Sequence, residues 1–433
     1  SRMTLDEKIG QMTQVEKGSL TSGAVAEFFI GSVLSGGGGS PAANTPEGWA
    51  AMVDGFQEEA LSTRLAIPML YGVDAVHGHG NLAGATIFPH NIGLGATRDP
   101  ELVRAIGAAT AEEMLATGIP WNFAPVVAVV QDVRWGRTYE GYGEDTALVT
   151  ELGTAYVEGL QSLPDGYTPA PGQEYLTAAT PKHYLGDGGT TFGSDSPSNY
   201  LIDQADMQVD EATLRALYLP PYQAAVEAGA LSVMVSFSSW NGMRMHANAT
   251  LINEVLKGEL GFEGFVVSDW AGIDQIEGEY YTDVVTSINA GVDMVMVPQR
   301  YELFILTLRT AVENGDIPME RIDDAVSRIL RVKLLLGLFE HPYSDPAYLA
   351  TVRSQDHLDL AARAVHESLV LLRDENAALP VDRDAPLILV AGEGADNTGL
   401  QSGGWTLQWQ GVATGRVEGS TILEGIEALA GAD

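Results

Sequence analysis

A chain of 433 residues, 45% hydrophobic and 19% charged, is globular in composition and too long for one ordinary domain of about 100 to 200 residues. Its 23 Lys+Arg against 58 Asp+Glu give a formal net charge of −35, a field that repels nucleic acid and anionic membranes and leaves a neutral or cationic substrate. Cysteine is absent, which excludes disulfides and thiolate metal sites, and no run of 18 apolar residues is present to form a membrane-spanning helix.

The chain opens at Ser1 directly in an amphipathic helix, so any leader is expected to have been removed or never present. Strand-like apolar runs then recur at 31–34, 67–73, 121–130, 176–180, 231–237, 265–267 and 292–297. Helical patterns at 99–116, 210–228 and 250–260 lie between them, and this alternation predicts a parallel α/β barrel of the (β/α)8 type over residues 1–340, one strand short of eight. A doubly wound open sheet is the alternative, but it gathers polar groups at one switch point rather than at many strand ends. A periodic helix from Met319 to Leu336, stopped by Gly337, closes the barrel. The two prolines of His341-Pro-Tyr-Ser-Asp-Pro346 mark a linker, assigned to 341–360, and residues 353–373 read as a further helix. Leu387-Ile-Leu-Val-Ala391 before Gly392 reads as the first strand of a second α/β sandwich domain, 361–433. That domain is expected to be incomplete and the chain to be part of a longer protein.

The polar residues that carry chemistry sit where these runs end. In a (β/α)8 barrel the C-terminal tips of the strands face the active-site mouth. Phe265-Val-Val-Ser-Asp269 ends on a carboxylate with Trp270 beside it, Tyr71-Gly-Val-Asp74 ends on an acid, and Pro181-Lys-His183 ends on two basic groups. Val133-Arg-Trp-Gly-Arg137 follows a further run. Asp269 capping a following helix is the bland alternative. Lys182 as a Schiff-base nucleophile and a metal held by His77-Gly-His79 with Asp74 are less favoured, the latter because the strand ends at Phe237 and Asp269 lack histidine. Gly36 to Gly39 reads as a loop rather than a phosphate cradle, since no Gly-Lys-Ser/Thr follows. Trp270 and Trp405, beside an acid and two glycines respectively, suit stacking on the apolar C–H faces of sugars; Trp240 and Trp409 complete the set.

Gly72-Val-Asp-Ala-Val-His-Gly78, Asp132-Val-Arg-Trp-Gly-Arg137 with Glu140 to Asp145, Lys182-His-Tyr-Leu-Gly-Asp-Gly-Gly189, Ser238-Ser-Trp-Asn-Gly242, Val267-Ser-Asp-Trp270 and Glu367-Ser-Leu-Val-Leu-Leu372 follow one another in order. In them the chain resembles glycoside hydrolase family 3, in its β-glucosidase and exo-β-glucanase branch, over nearly its whole length. The resemblance implies a retaining, exo-acting glucosidase acting on a β-glucan or oligosaccharide, with Asp269 as nucleophile and Asp74, Arg134, Lys182 and His183 holding the innermost glucosyl unit. Trp270 and Trp405 then clamp the next sugar, and the acid/base Glu lies beyond Asp433. Lys182 and Arg134 are expected to favour the ionised form of Asp269. Phe237 stands where the family often has Tyr, so a phenol near the nucleophile is missing. The family's N-acetylhexosaminidase branch is the alternative; it carries Gly-His-Gly where this chain has Gly186-Asp-Gly188. A non-catalytic sugar-binding homologue is a further one. No cofactor or metal, no nucleic-acid or membrane partner, and a secreted or periplasmic location are expected.

Overall fold

A computed structural model describes residues 2–164, 166–194, 200–375, 379–382, 385–413 and 417–430. Short strands pair in parallel and in chain order: Thr13–Glu16 with Ser32–Ser35, that strand with Leu70–Val73, and Leu70–Val73 with Trp121–Asn122. The segment 178–184 continues the circle through the parallel bridges Trp121 to Ala178, Val126 to Lys182 and Tyr184 to Val235. Ser232–Met234 then pairs with Phe265–Val267, Val267 bridges Met294, and Val295–Met296 returns to Thr13–Glu16. The seven paired strands and the 178–184 segment together close an eight-stave (β/α)8 barrel.

The stave absent from the apolar pattern is Thr13–Glu16. Its polar side chains make hydrogen bonds inside the fold, where the Thr13 hydroxyl donates to the Ile9 carbonyl at 2.9 Å and Gln14 Nε2 donates to Ser32 Oγ at 2.9 Å, leaving Gln14 Oε1 unpartnered among the described residues. Hydrogen bonding replaces apolar burial as the reason this strand can lie inside. The lumen is filled as a core, not left as a pore. Trp121 is fully buried, meets Phe123 and Phe265 edge-on at 4.8 and 5.0 Å, and donates its indole N–H toward Thr180 and Ser232.

The outer helices begin where the sequence supplies caps. Asp99 caps Pro100–Leu115, Asp145 caps Thr146–Gln161 and Asp210 caps Glu211–Leu217, each carboxylate accepting from a backbone N–H of the first turn. The helix expected over 210–228 is broken in two, because Pro220 and Pro221 lack the N–H groups a continuous helix needs; the second piece is Pro220–Glu227. Residues Thr250–Glu259 form a π-helix. The closing helix runs Met319–Leu335 as expected.

After the barrel, helix Gln355–Ser368 starts inside the stretch expected as linker. It rests on the barrel: Ala364 is fully buried, and His357 places Nδ1 2.9 Å from Glu113 and Nε2 3.3 Å from Glu112. Leu387-Ile-Leu-Val-Ala391 is not in a strand; Leu387 and Leu389 are 81% and 85% exposed. A strand exists only by pairing, and no partner edge lies beside this segment among the described residues. The chain returns to the barrel rim at 403–409. A last helix spans Ile422–Ala430, and residues 431–433 lie outside the described set.

Candidate active site

A cavity of about 550 Å³ opens at the C-terminal rim of the barrel. Its lining is supplied by strand ends and the loops that follow them: Glu16, Gly36, Asp74, Lys182, His183, Phe237, Asp269 and Gln299, joined by Arg137, Asp203 and Gln204 from rim loops and by Trp405 and Trp409 from the returning segment. Of the residues expected at the site, Asp269, Asp74, Lys182, His183, Trp270 and Trp405 are brought together here.

Asp269 follows strand Phe265–Val267 and caps no helix, since the next helical turn starts after Ala271. Its backbone is fixed from behind: the Asp269 N–H donates to His246 Nε2 at 3.1 Å, and His246 is buried and held neutral, burial pushing it down to about 3. A Cβ on Gly272 would collide with the His246 ring, so only glycine lets that ring approach. Asp269 Oδ1 accepts from the Trp270 N–H at 2.6 Å, whereas Oδ2 is buried without a hydrogen-bond partner among the described residues, 3.7 Å from His183 Nε2. One lone-pair-bearing oxygen is thus left free in the cavity. Burial raises the Asp269 carboxyl to about 6, against the pull of Arg137, the Trp270 N–H and Lys182.

Around it runs a chain of charge-assisted contacts. Lys182 Nζ donates to Asp74 Oδ1 at 2.6 Å with both side chains largely buried, and its ammonium stands 5.4 Å from the Trp405 ring. Arg137 grips Glu140 with two contacts of 2.8 Å and points Nη2 at His183 Nε2, 3.2 Å away. A guanidinium only donates, so His183 Nε2 carries the lone pair and its proton sits on Nδ1, donated to Asp187 Oδ2 at 2.7 Å. Burial and the neighbouring Arg137 and Lys182 keep His183 neutral, and burial lifts Asp187 to about 7. Both ring nitrogens are therefore engaged, Nε2 by Arg137 and Nδ1 by Asp187.

Arg134 is corrected. It is 59% exposed at its side chain, forks onto Asp132 and lies 4.0 Å from the Phe192 ring, outside the cavity. The arginine of the same motif that reaches the cavity is Arg137, three residues on, which the buried Glu140 turns inward; the 3₁₀ turn Thr138–Glu140 sets that direction. The arginine that pulls against burial at Asp269, together with Lys182, is accordingly Arg137, not Arg134. The acid of Glu140 to Asp145 that serves it was visible in the sequence, but which arginine it pairs with was not.

Phe237 lines the cavity, so the hydrocarbon ring stands at the wall itself. The indole wall is wider than the expected pair. Trp405 is only 8% exposed, while Trp409, 49% exposed, lies at a 6.3 Å ring distance from it at the mouth. The glycine loop is the platform for both mouth rings. A Cβ on Gly36 would stand 2.9 Å from the Trp270 ring, and one on Gly37 would stand 2.6 Å from Trp409 Cβ. His77 and His79 face separate buried partners, Phe88 and Thr406 for the first and Thr117 for the second.

A closed (β/α)8 barrel with a carboxylate at one strand tip, a lysine and a neutral histidine at another, and indoles at the mouth defines a barrel protein with a polar, ring-flanked pocket at its C-terminal rim. Residues 4–332 match the Glycosyl hydrolase family 3 N terminal domain, and the chain belongs to that family. It is 34% identical over 463 residues to the lysosomal beta glucosidase of Dictyostelium discoideum, covering 99% of this chain and 55% of that protein. It is 31% identical over 447 residues to the periplasmic beta-glucosidase of Salmonella typhimurium, covering 99% and 53%. The crystal structure of an exo-1,3/1,4-beta-glucanase from a Pseudoalteromonas species superposes with a TM-score of 0.90 at 40% identity, over 99% of this chain and 54% of that one. The chain thus spans about half the length of the curated relatives it matches.

Proposed function

We propose that this protein works as a retaining, exo-acting β-glucosidase or β-glucan exohydrolase that releases glucose from non-reducing ends, with Asp269 as its nucleophile. The observation that carries this reading is the free, buried Oδ2 of Asp269 on the wall of a cavity whose other polar groups are fixed. Asp74, Lys182 and Arg137 offer both acceptors and donors to sugar hydroxyls, His183 aligns the Arg137 guanidinium, and the paired charges hold these rotamers before substrate arrives.

In the first step Asp269 Oδ2 attacks the anomeric carbon, the bond from that carbon to the departing oxygen breaks, and a general acid gives that oxygen its proton. In the second, water attacks the same carbon and yields a proton to that group as base, and the ester to Asp269 is released. Retention by this route needs two carboxyl groups about 5 to 5.5 Å apart. We assign the second to no residue of 1–433 and place it, as the family resemblance implies, beyond Asp433. The names of the lysosomal and periplasmic relatives support a location outside the cytoplasm, secreted or periplasmic, for this protein.

The test is turnover of a chromogenic aryl β-glucoside by the full protein and by its Asp269→Asn variant. Loss of at least about 10³-fold in the variant with an intact fold supports the assignment. Activity near the parent level contradicts it.

A further inference from the structure

The segment 403–409 carries Trp405 and Trp409 into the cavity wall in a conformation that its own residues disfavour. Trp405 and Leu407 both have left-handed backbones, with φ of +60° and +58°. Two backbone contacts brace them: the Trp405 N–H donates to the Trp409 carbonyl at 2.9 Å and the Leu407 N–H to the Gly80 carbonyl at 2.7 Å. Gly80 allows the approach, because a Cβ there would collide with the Trp405 carbonyl oxygen.

Two histidines complete the attachment, and neither lines the cavity. His77 and His90 stack with ring centres 4.0 Å apart and planes 19° from parallel, and Tyr139 meets His90 edge-on at 4.9 Å. The Phe88 carbonyl, 2.9 Å from His77 Nδ1, fixes the His77 proton on that nitrogen and leaves Nε2 to accept from the Thr406 hydroxyl at 3.1 Å. The Gly404 carbonyl, 2.9 Å from His90 Nε2, requires the His90 proton there. The two rings therefore use opposite tautomers, one accepting from the strip and one donating to it. Burial keeps both neutral, and the stack carries no charge repulsion.

We propose that His77 and His90 are positioning residues, a stacked latch that locks the 403–409 strip against the barrel rim and so sets the affinity for the sugar that Trp405 and Trp409 contact. The sugar part of this rests on the glycosidase reading; the latch itself does not. His79, two residues from His77, supplies the contrast. It is equally buried but bonds Thr117 and meets Trp49 edge-on, away from the strip.

The experiment compares the full protein with His90→Ala, His90→Gln, Thr406→Val and His79→Asn. Three quantities are read: binding of a β-1,3-linked glucose disaccharide by tryptophan fluorescence, hydrogen exchange of the 403–411 peptide, and thermal midpoint. His90→Ala and Thr406→Val are expected to weaken binding about tenfold and to speed exchange in that peptide about tenfold, the loss of one buried hydrogen bond that leaves its partner unsatisfied. His90→Gln, which keeps an N–H for Gly404, is expected within about threefold of the parent. His79→Asn is expected to lower the thermal midpoint with the parent's binding and exchange. Parent-like exchange and binding in both His90→Ala and Thr406→Val overturns the latch. Should the parent bind no disaccharide, the glycosidase reading fails, and the exchange measurement alone decides the latch: unchanged exchange in 403–411 still overturns it.

Discussion

Asp269 Oδ2 and His183 Nε2 face each other across 3.7 Å without a hydrogen bond, two lone-pair-bearing atoms kept apart by their separate partners. Arg137 occupies the His183 nitrogen and the Trp270 N–H occupies the other Asp269 oxygen. With both neighbours engaged elsewhere, Oδ2 faces the cavity without a bonding partner among the described residues, which is the state the proposed nucleophile needs.

On the proposed mechanism, the carboxyl raised to about 6 by burial sets the acid limb of activity. Only the ionised form attacks, so kcat/KM should fall as pH drops below about 6, a higher limb than an ordinary aspartate gives. A limb near 4 in kcat/KM against pH contradicts the buried environment assigned to Asp269.

The same shift has an opposite sign in stability. A carboxyl whose pKa rises from 3.8 to about 6 on folding holds its proton more tightly in the folded state, so the fold loses stability as pH rises through that window. Asp269→Asn removes the loss while keeping an oxygen for the Trp270 N–H. The variant should be inactive yet more stable at pH 7, by on the order of 2 kcal/mol in denaturant unfolding, with the gain gone below about pH 4.

Two arginines of one motif should behave differently. Arg137→Met removes a buried guanidinium from Glu140 and His183 and should cost about 10- to 100-fold in kcat/KM on an aryl glucoside. Arg134→Ala removes an exposed pair with Asp132 and should stay close to the parent. Kinetics of the two variants side by side check the correction; the reverse order would restore Arg134 to the site.

His357 ties the helix Gln355–Ser368 to the barrel through Glu112 and Glu113, and these carboxylates hold it up at about 9 although burial pulls the other way. A histidine raised on folding gives stability that is full below its unfolded value of about 6.5 and lost as pH rises through about 9. Urea midpoints should fall across that window in the parent and flatten in His357→Gln.

What the sequence made legible was what strand ends dictate. Asp74, Lys182, His183 and Asp269 close apolar runs, and a barrel sends such tips to one rim, so their meeting was readable without coordinates. Thr13–Glu16 was not, because a stave whose inward groups are hydrogen-bonded leaves no apolar signature. Arg137, Asp187, His246 and Trp409 belong to loops and short 3₁₀ turns between the barrel's main elements, where a side chain's direction depends on the local turn and on the partner it meets. Glycines 36 and 37 signalled a loop; that they seat Trp270 and Trp409 became visible only with the rings in place. Leu387-Ile-Leu-Val-Ala391 has the composition of a strand, but composition does not supply the neighbouring edge.

Whether Asp269 forms the bond to the sugar is read out by trapping the glycosyl-enzyme. A 2-deoxy-2-fluoro-β-glucoside with a dinitrophenolate leaving group needs no proton donor to depart, so it interrogates the nucleophile alone. After reaction with the full protein, peptide mass mapping should find one fluorodeoxyglucosyl group, on Asp269, and none in Asp269→Asn. A label on another carboxylate, or none in a protein that turns over the unfluorinated glucoside, would rule out Asp269 as the nucleophile.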